Sequence, residues 1–367
     1  MIVIIGAGYA GAATALWLGR HGLGHRVILL EREPETGAHA SGRNAGLITS
    51  VVDDDITCAM TARGARLLEQ EAAPRIACGS VQLSSDESRL SRLAARAQAH
   101  GFPASIHPSL EMARRWPLLS GVRAPACLWI RSDATIEPHG LLSHILSRAR
   151  DEGVRLITRA RVEAIEVESG RVAAVRTSAG RFSAEMLVNA AGAWAPGVAQ
   201  LAGAATQTLT VYRRHLFFTG PLPAAAQAPP LPFLWDLDAD VYLRAQEGGL
   251  MLCPCDHDPH PAEPPSVSHQ AATMLAEKLA AAMPEAARLA IASGRACLRT
   301  FARDDRYVIG PDPRVAGFFW VAGLGGSGAS AGLAAGELAA ALLADRPIPE
   351  DLLSARSQVD PARFADV

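Results

Sequence analysis

Apolar positions open the chain as an unbroken run, Ile2-Val-Ile-Ile5, the pattern of a strand buried on both faces of a parallel sheet. Gly6-Ala-Gly-Tyr-Ala-Gly11 follows without a gap. Ala12–Leu18 then reads as a helix, and Val27–Leu30 is a second buried strand with Glu31 at its end. Strand, glycine turn, helix, strand and terminal acid together predict a dinucleotide-binding βαβ unit. In that unit Gly6 permits the tight turn, Gly8 lets a pyrophosphate approach the backbone, and Gly11 lets helix and strand pack closely. Glu31 would accept hydrogen bonds from the adenosine ribose, which argues against a 2′-phosphate there. Further along, Val154–Ile165, Arg171–Thr177 and Phe182–Leu187 read as short strands, and Tyr212–Thr219 and Val241–Leu243 as strands of a second sheet. Ser50–Ala72 and Ser268–Met283 read as helices flanking that sheet, the second stopped by Pro284. Gly220–Pro232 and His257–Pro265 are proline-containing connections. Gly317–Ser330 reads as strand, glycine loop and helix.

Composition narrows the function more than the fold. The 367 residues are 49% hydrophobic and 20% charged, a globular mixture. A net charge of −2, with 35 basic against 37 acidic residues and 5% aromatics, supplies neither the basic excess nor the stacking surface of a nucleic-acid partner. Six dispersed cysteines read as reduced thiols rather than a disulfide framework. No apolar stretch reaches the ~18 residues of a spanning helix, and glycines interrupt the N-terminal run before it can act as a signal. The expectation is a cytoplasmic chain without a transmembrane segment. Cys253-Pro-Cys255-Asp-His257-Asp-Pro-His260 lacks the ligand spacing of a zinc site, so no metal is expected.

The segment after the ribose strand, His39-Ala-Ser-Gly-Arg-Asn-Ala-Gly-Leu-Ile48, separates FAD from other dinucleotides. Here the chain resembles the D-amino-acid oxidase (DAO) superfamily of flavoproteins, and within it the bacterial FAD-dependent D-amino acid dehydrogenases of the D-arginine dehydrogenase type. Val188-Asn-Ala-Ala-Gly-Ala-Trp194 is similar to the family's second cofactor segment, and the Gly317–Ser330 loop to its last. The resemblance implies an α/β fold with a discontinuous Rossmann-type FAD-binding domain (1–50, 141–210 and 298–367). A mixed-sheet α+β substrate domain (51–140 and 211–297) would cover the flavin. It implies cofactor contacts from Gly6, Gly8, Gly11, Glu31, Arg32, Ser41, Arg43, Asn44, Ala45, Val162, Ala191, Gly192, Gly325, Gly326, Ser327 and Gly328.

For an amino-acid substrate the resemblance assigns Arg299 to the carboxylate, Tyr242 as its helper, and Arg214 as a second arginine directed at the substrate. A guanidinium fork matches both carboxylate oxygens. Where the D-arginine dehydrogenase type carries a histidine and a tyrosine, this chain reads Leu47 and about Val52, and near Gly79–Gln82 it lacks the acid that meets a cationic side chain. A small, neutral D-amino acid is therefore expected, oxidised by hydride transfer from Cα to flavin N5, with the imino acid hydrolysing to a 2-oxo acid. His215 and His39 are candidate bases only by their nearness in sequence. The alternatives are a secondary amine oxidase of glycine, sarcosine or proline type, in which Cys297 would tether the flavin, and a non-catalytic flavin subunit. The electron acceptor, whether oxygen, quinone or another, is left open.

Overall fold

Ile2–Ile5, buried at all four positions, sits between two parallel neighbours, Met186–Asn189 on one side and Val27–Leu30 on the other. The computed structural model describes residues 1–205, 209–222 and 230–364. Phe318–Ala322 and Arg155–Ile157 extend the parallel sheet, and Val308–Pro311 closes one edge antiparallel, giving six strands. Strands covered on both faces need continuous apolar sequence, which is why these runs carry no polar alternation.

The first helix, Tyr9–Leu18, and the last long helix, Gly328–Leu343, cover one face side by side. They approach closely because both are built from small residues: a Cβ at Gly336 would stand 2.4 Å from the Ala13 carbonyl carbon. Asp55–Gln70, expected to flank the substrate sheet, packs instead on this last helix. Its Met60, Leu67 and Leu68 join the core of Leu16 and Leu338, and Arg63 forms an ion pair with Glu337 at 2.6 Å. Val154–Ile165 is also two elements rather than one. Arg155–Ile157 belongs to the parallel sheet, and Val162–Glu168 begins a three-stranded antiparallel meander with Arg171–Thr177 and Gly180–Ser183. The predicted Phe182–Leu187 strand is likewise divided between Gly180–Ser183 and Met186–Asn189.

The second sheet has nine strands. Leu209–Thr219 pairs along its whole length with Ile291–Ala302 and on its other side with Asp258–Pro259 and Gly249–Cys253. Val241–Gln246, Phe233–Asp236, Ser80–Ser84, Ala126–Ile130 and Ala104–Pro108 follow in order. Opposed residues in a ladder share a face, so register sorts the side chains. On one face Val81, Leu83, Leu234, Val241, Leu243, Leu250, Leu252 and Phe217 pack against Leu275 and Leu279 of the helix His269–Ala282. The other face carries Gln82, Trp235, Tyr242, Arg244, Cys253, Arg214, Arg295, Cys297 and Arg299. Part of the Gly220–Pro232 connection, residues 223–229, lies outside the described residues.

Candidate cofactor and substrate site

The ends of the parallel strands, the starts of the two long helices and the Gly37–Asn44 loop enclose a cavity of about 370 Å³. Neither helix has an acid in its first turn, and neither N-cap residue, Gly8 or Ser327, bonds the first turn through its own side chain, so both helix starts present N–H groups and the positive end of the helix dipole. Gly6, at φ +100°, holds the turn that only glycine adopts freely, and a Cβ at Gly11 would stand 2.0 Å from the Gly6 carbonyl oxygen. The Ser41 hydroxyl accepts the Tyr9 N–H at 3.0 Å and so ties the loop to the helix start.

Glu31, nearly buried at the end of its strand, uses one carboxylate oxygen to accept the Ala7 N–H at 3.1 Å and the other for Glu33 N–H at 2.9 Å. Each oxygen retains a lone pair for a hydroxyl. Across the cavity Val162 stands at the start of the meander, and Trp194 forms a wall with the Arg32 guanidinium 4.3 Å from one ring and His39 4.5 Å away. These features fit an FAD: a ribose-binding acid at one end, a pyrophosphate cradle without a competing acid, and a second helix start for the negative pole of a flavin.

Of the expected cofactor residues, Gly6, Gly8, Glu31, Arg32, Ser41, Asn44, Val162, Ala191, Gly192, Gly325, Gly326 and Gly328 line the cavity. Gly11 acts through packing, Arg43 is exposed, and Ser327 stands at the N-cap position of its helix without lining the space. Ala45 accepts Arg244 Nε at 2.6 Å with its carbonyl and packs beside Tyr242. Tyr9, His39, Arg161, Trp194, Leu298 and Thr300 also line it. Of these, Trp194 and His39 fall within the motif segments; what they touch could not be read there, because Arg32 and Trp194 meet across 162 residues of sequence.

Arg299 lines the cavity and is buried, with Nη1 donating to Cys297 Sγ at 3.1 Å and to the Leu298 carbonyl at 2.9 Å. No carboxylate lies within ion-pair distance of it among the described residues. Arg214 and Tyr242 do not line the cavity. Arg214 donates to the Asp256 carbonyl at 2.7 Å, and Tyr242 stands opposite Cys253 in a buried cluster with Leu216, Met251 and Cys255. Burial alone would raise the Cys253 thiol, but the Cys255 hydrogen bond and the Arg214 charge outweigh it and bring it down to about 7. Cys297 is buried between Arg214 and Arg299, its thiol on the Arg214 carbonyl at 3.4 Å, and does not reach the cavity wall.

His215 is fully buried away from the site. Its Nδ1 meets Asp256 at 2.6 Å and its Nε2 accepts the Ser268 N–H at 3.0 Å, so both ring nitrogens are used in structure. His39 instead sits on the cavity wall, bound to Glu33 at 2.9 Å.

Residues 1–342 match the family described as FAD dependent oxidoreductase (DAO). The mitochondrial pyruvate dehydrogenase phosphatase regulatory subunit of Mus musculus is 26% identical over 360 residues, covering 92% of this chain and 40% of that protein. Mitochondrial sarcosine dehydrogenase of Homo sapiens is 26% identical over 371 residues, covering 94% and 40%. The chain thus spans 40% of the length of either relative. Among solved structures, L-proline dehydrogenase from P. horikoshii superposes with a TM-score of 0.87 at 20% identity, covering 100% of this chain and 97% of that one.

Proposed function

Because the chain belongs to the DAO family of FAD-dependent oxidoreductases, we propose that it oxidises a small secondary amino acid, of the sarcosine or proline kind, at a carbon bonded to nitrogen. One observation carries the reading. A buried guanidinium without an acidic partner among the described residues, Arg299, stands in the wall of the same cavity that the cofactor motifs enclose. Such a group is costly unless a ligand brings the counter-charge.

When bound, FAD supplies the two-electron acceptor for amine oxidation. Arg299 holds the substrate carboxylate in a bidentate pair and so fixes the amine carbon relative to the cofactor. No side-chain base is assigned, since His215 is engaged on both ring nitrogens.

The choice of a secondary amine over the D-amino acid expected from sequence is supported by the likeness to sarcosine dehydrogenase. The resemblance to the D-arginine dehydrogenase type accordingly narrows to the superfamily. A second reading, a flavoprotein that binds without turning over, is favoured by the likeness to a phosphatase regulatory subunit. Steady-state assays with an artificial acceptor test the choice. Sarcosine and proline should exceed glycine and D-alanine in kcat/KM; the reverse order returns the D-amino acid, and no turnover of any amine supports the second reading.

A further inference from the structure

Arg299 sits between two residues that also line the cavity, Leu298 and Thr300, on the strand Ile291–Ala302. A guanidinium carries five N–H donors in one plane: two on Nη1, two on Nη2 and one on Nε. Both hydrogen bonds made by Arg299 leave from Nη1, one to Cys297 Sγ at 3.1 Å and one to the Leu298 carbonyl at 2.9 Å. Nε and Nη2 have no partner among the described residues, although the side chain is buried. The protein thus occupies one end of the fork. The Nε–Nη2 edge is the one left to match both oxygens of a carboxylate.

Cys297 is itself held from the neighbouring strand. It stands opposite Arg214 in the ladder with Leu209–Thr219, and its thiol donates to the Arg214 carbonyl at 3.4 Å. With the proton directed there, the sulfur lone pairs remain for Arg299 Nη1. The Arg214 guanidinium is engaged elsewhere, its Nε on the Asp256 carbonyl at 2.7 Å. We propose that Cys297 is a positioning residue: its sulfur, fixed by the Arg214 carbonyl, holds Nη1 and so turns the Nε–Nη2 edge of Arg299 toward the ligand carboxylate. This rests on the carboxylate role given to Arg299 above.

A neutral acceptor suits this task. An acid at position 297 would pair with the guanidinium and cancel the charge that attracts the ligand. An apolar side chain would leave an Nη1 proton buried without a partner and the guanidinium free to turn. Cys297 is buried and absent from the cavity wall, so it acts through Arg299 and not by touching ligand or flavin. A hydroxyl can replace the thiol in both contacts, since it too donates one proton and accepts.

Methoxyacetate tests this on the FAD-loaded protein, because it carries the carboxylate but no amine to be oxidised. Binding is read by calorimetry and by perturbation of the flavin spectrum. Cys297→Ala and Cys297→Val, the second filling the volume of the thiol, should each weaken binding about tenfold, the weight of one hydrogen bond to a charged group. Cys297→Ser should recover most of that loss, and all three variants should keep their FAD. Wild-type affinity in both apolar variants, a Cys297→Ser variant as weak as Cys297→Ala, loss of FAD from the apolar variants, or a wild-type protein that does not bind methoxyacetate would each overturn the proposal. If methoxyacetate shows the expected pattern while no amine reduces the flavin, the positioning role stands and the oxidation reading fails.

Discussion

Arg299 carries the largest single consequence in the site, because it is buried, faces the cavity and lacks an acidic partner among the described residues. Removing one member of a buried charge pair costs about 3–5 kcal/mol, so Arg299→Met should lower kcat/KM by some thousandfold with FAD retained. Near-normal kinetics would move the carboxylate to another arginine. Tyr242→Phe should cost far less than its family role implies, since its ring lies in the Cys253 cluster rather than on the cavity wall. Cys297 is engaged by Arg214 and Arg299 and is absent from that wall. Acid precipitation should therefore leave FAD in the supernatant; flavin in the pellet would show a covalent tether.

Helix and strand starts were legible wherever the signal was local. The run Ile2–Leu30 and the Gly317–Ser330 loop declare strand, turn and helix within a few residues, and the structure places them around one cavity. What sequence could not carry was register between strands far apart in the chain. Arg214 and Tyr242 could be named, but only the pairing of Leu209–Thr219 with Ile291–Ala302 and Gly249–Cys253 decides which neighbours they meet. The helix Asp55–Gln70 was likewise visible, while its partner, 274 residues away between Arg63 and Glu337, was not. At this scale the contact between the two long helices is the exposed weakness. A methyl at Gly336 would stand 2.4 Å from the Ala13 backbone, so Gly336→Ala forces the helices apart. Overpacking of this kind costs about 1–3 kcal/mol. Urea unfolding of the variant should show a lowered midpoint, and an unchanged one would mean that the helices adjust freely.

Across the whole molecule, Asp133 joins the segment that leaves the flavin loop to the nine-stranded sheet. It is fully buried and accepts the Ser50 N–H at 2.9 Å, the Ser50 hydroxyl at 2.5 Å and the Ser80 hydroxyl at 2.6 Å. Burial raises its pKa from 3.8 to about 6, against the pull of those hydrogen bonds. The folded state therefore holds this proton more tightly than the unfolded chain. Its contribution to stability is fully present below the unfolded value of 3.8 and is lost as pH rises through about 6, up to about 3 kcal/mol in all. Relative to Asp133→Asn, whose side chain does not titrate, the wild type should gain stability on going from neutral to mildly acidic pH. A difference that is flat with pH would place the Asp133 pKa at its ordinary value.

The same architecture, a nucleotide cavity with Arg299 of the second sheet in its wall, frames the central claim that this chain oxidises an amine with FAD. Anaerobic mixing of the FAD-loaded protein with sarcosine, proline and glycine tests it most directly. The account predicts stoichiometric bleaching of the visible flavin absorbance by at least one of them, with Arg299→Met holding its FAD but bleaching far more slowly. A flavin that dithionite reduces and no amine does would contradict it.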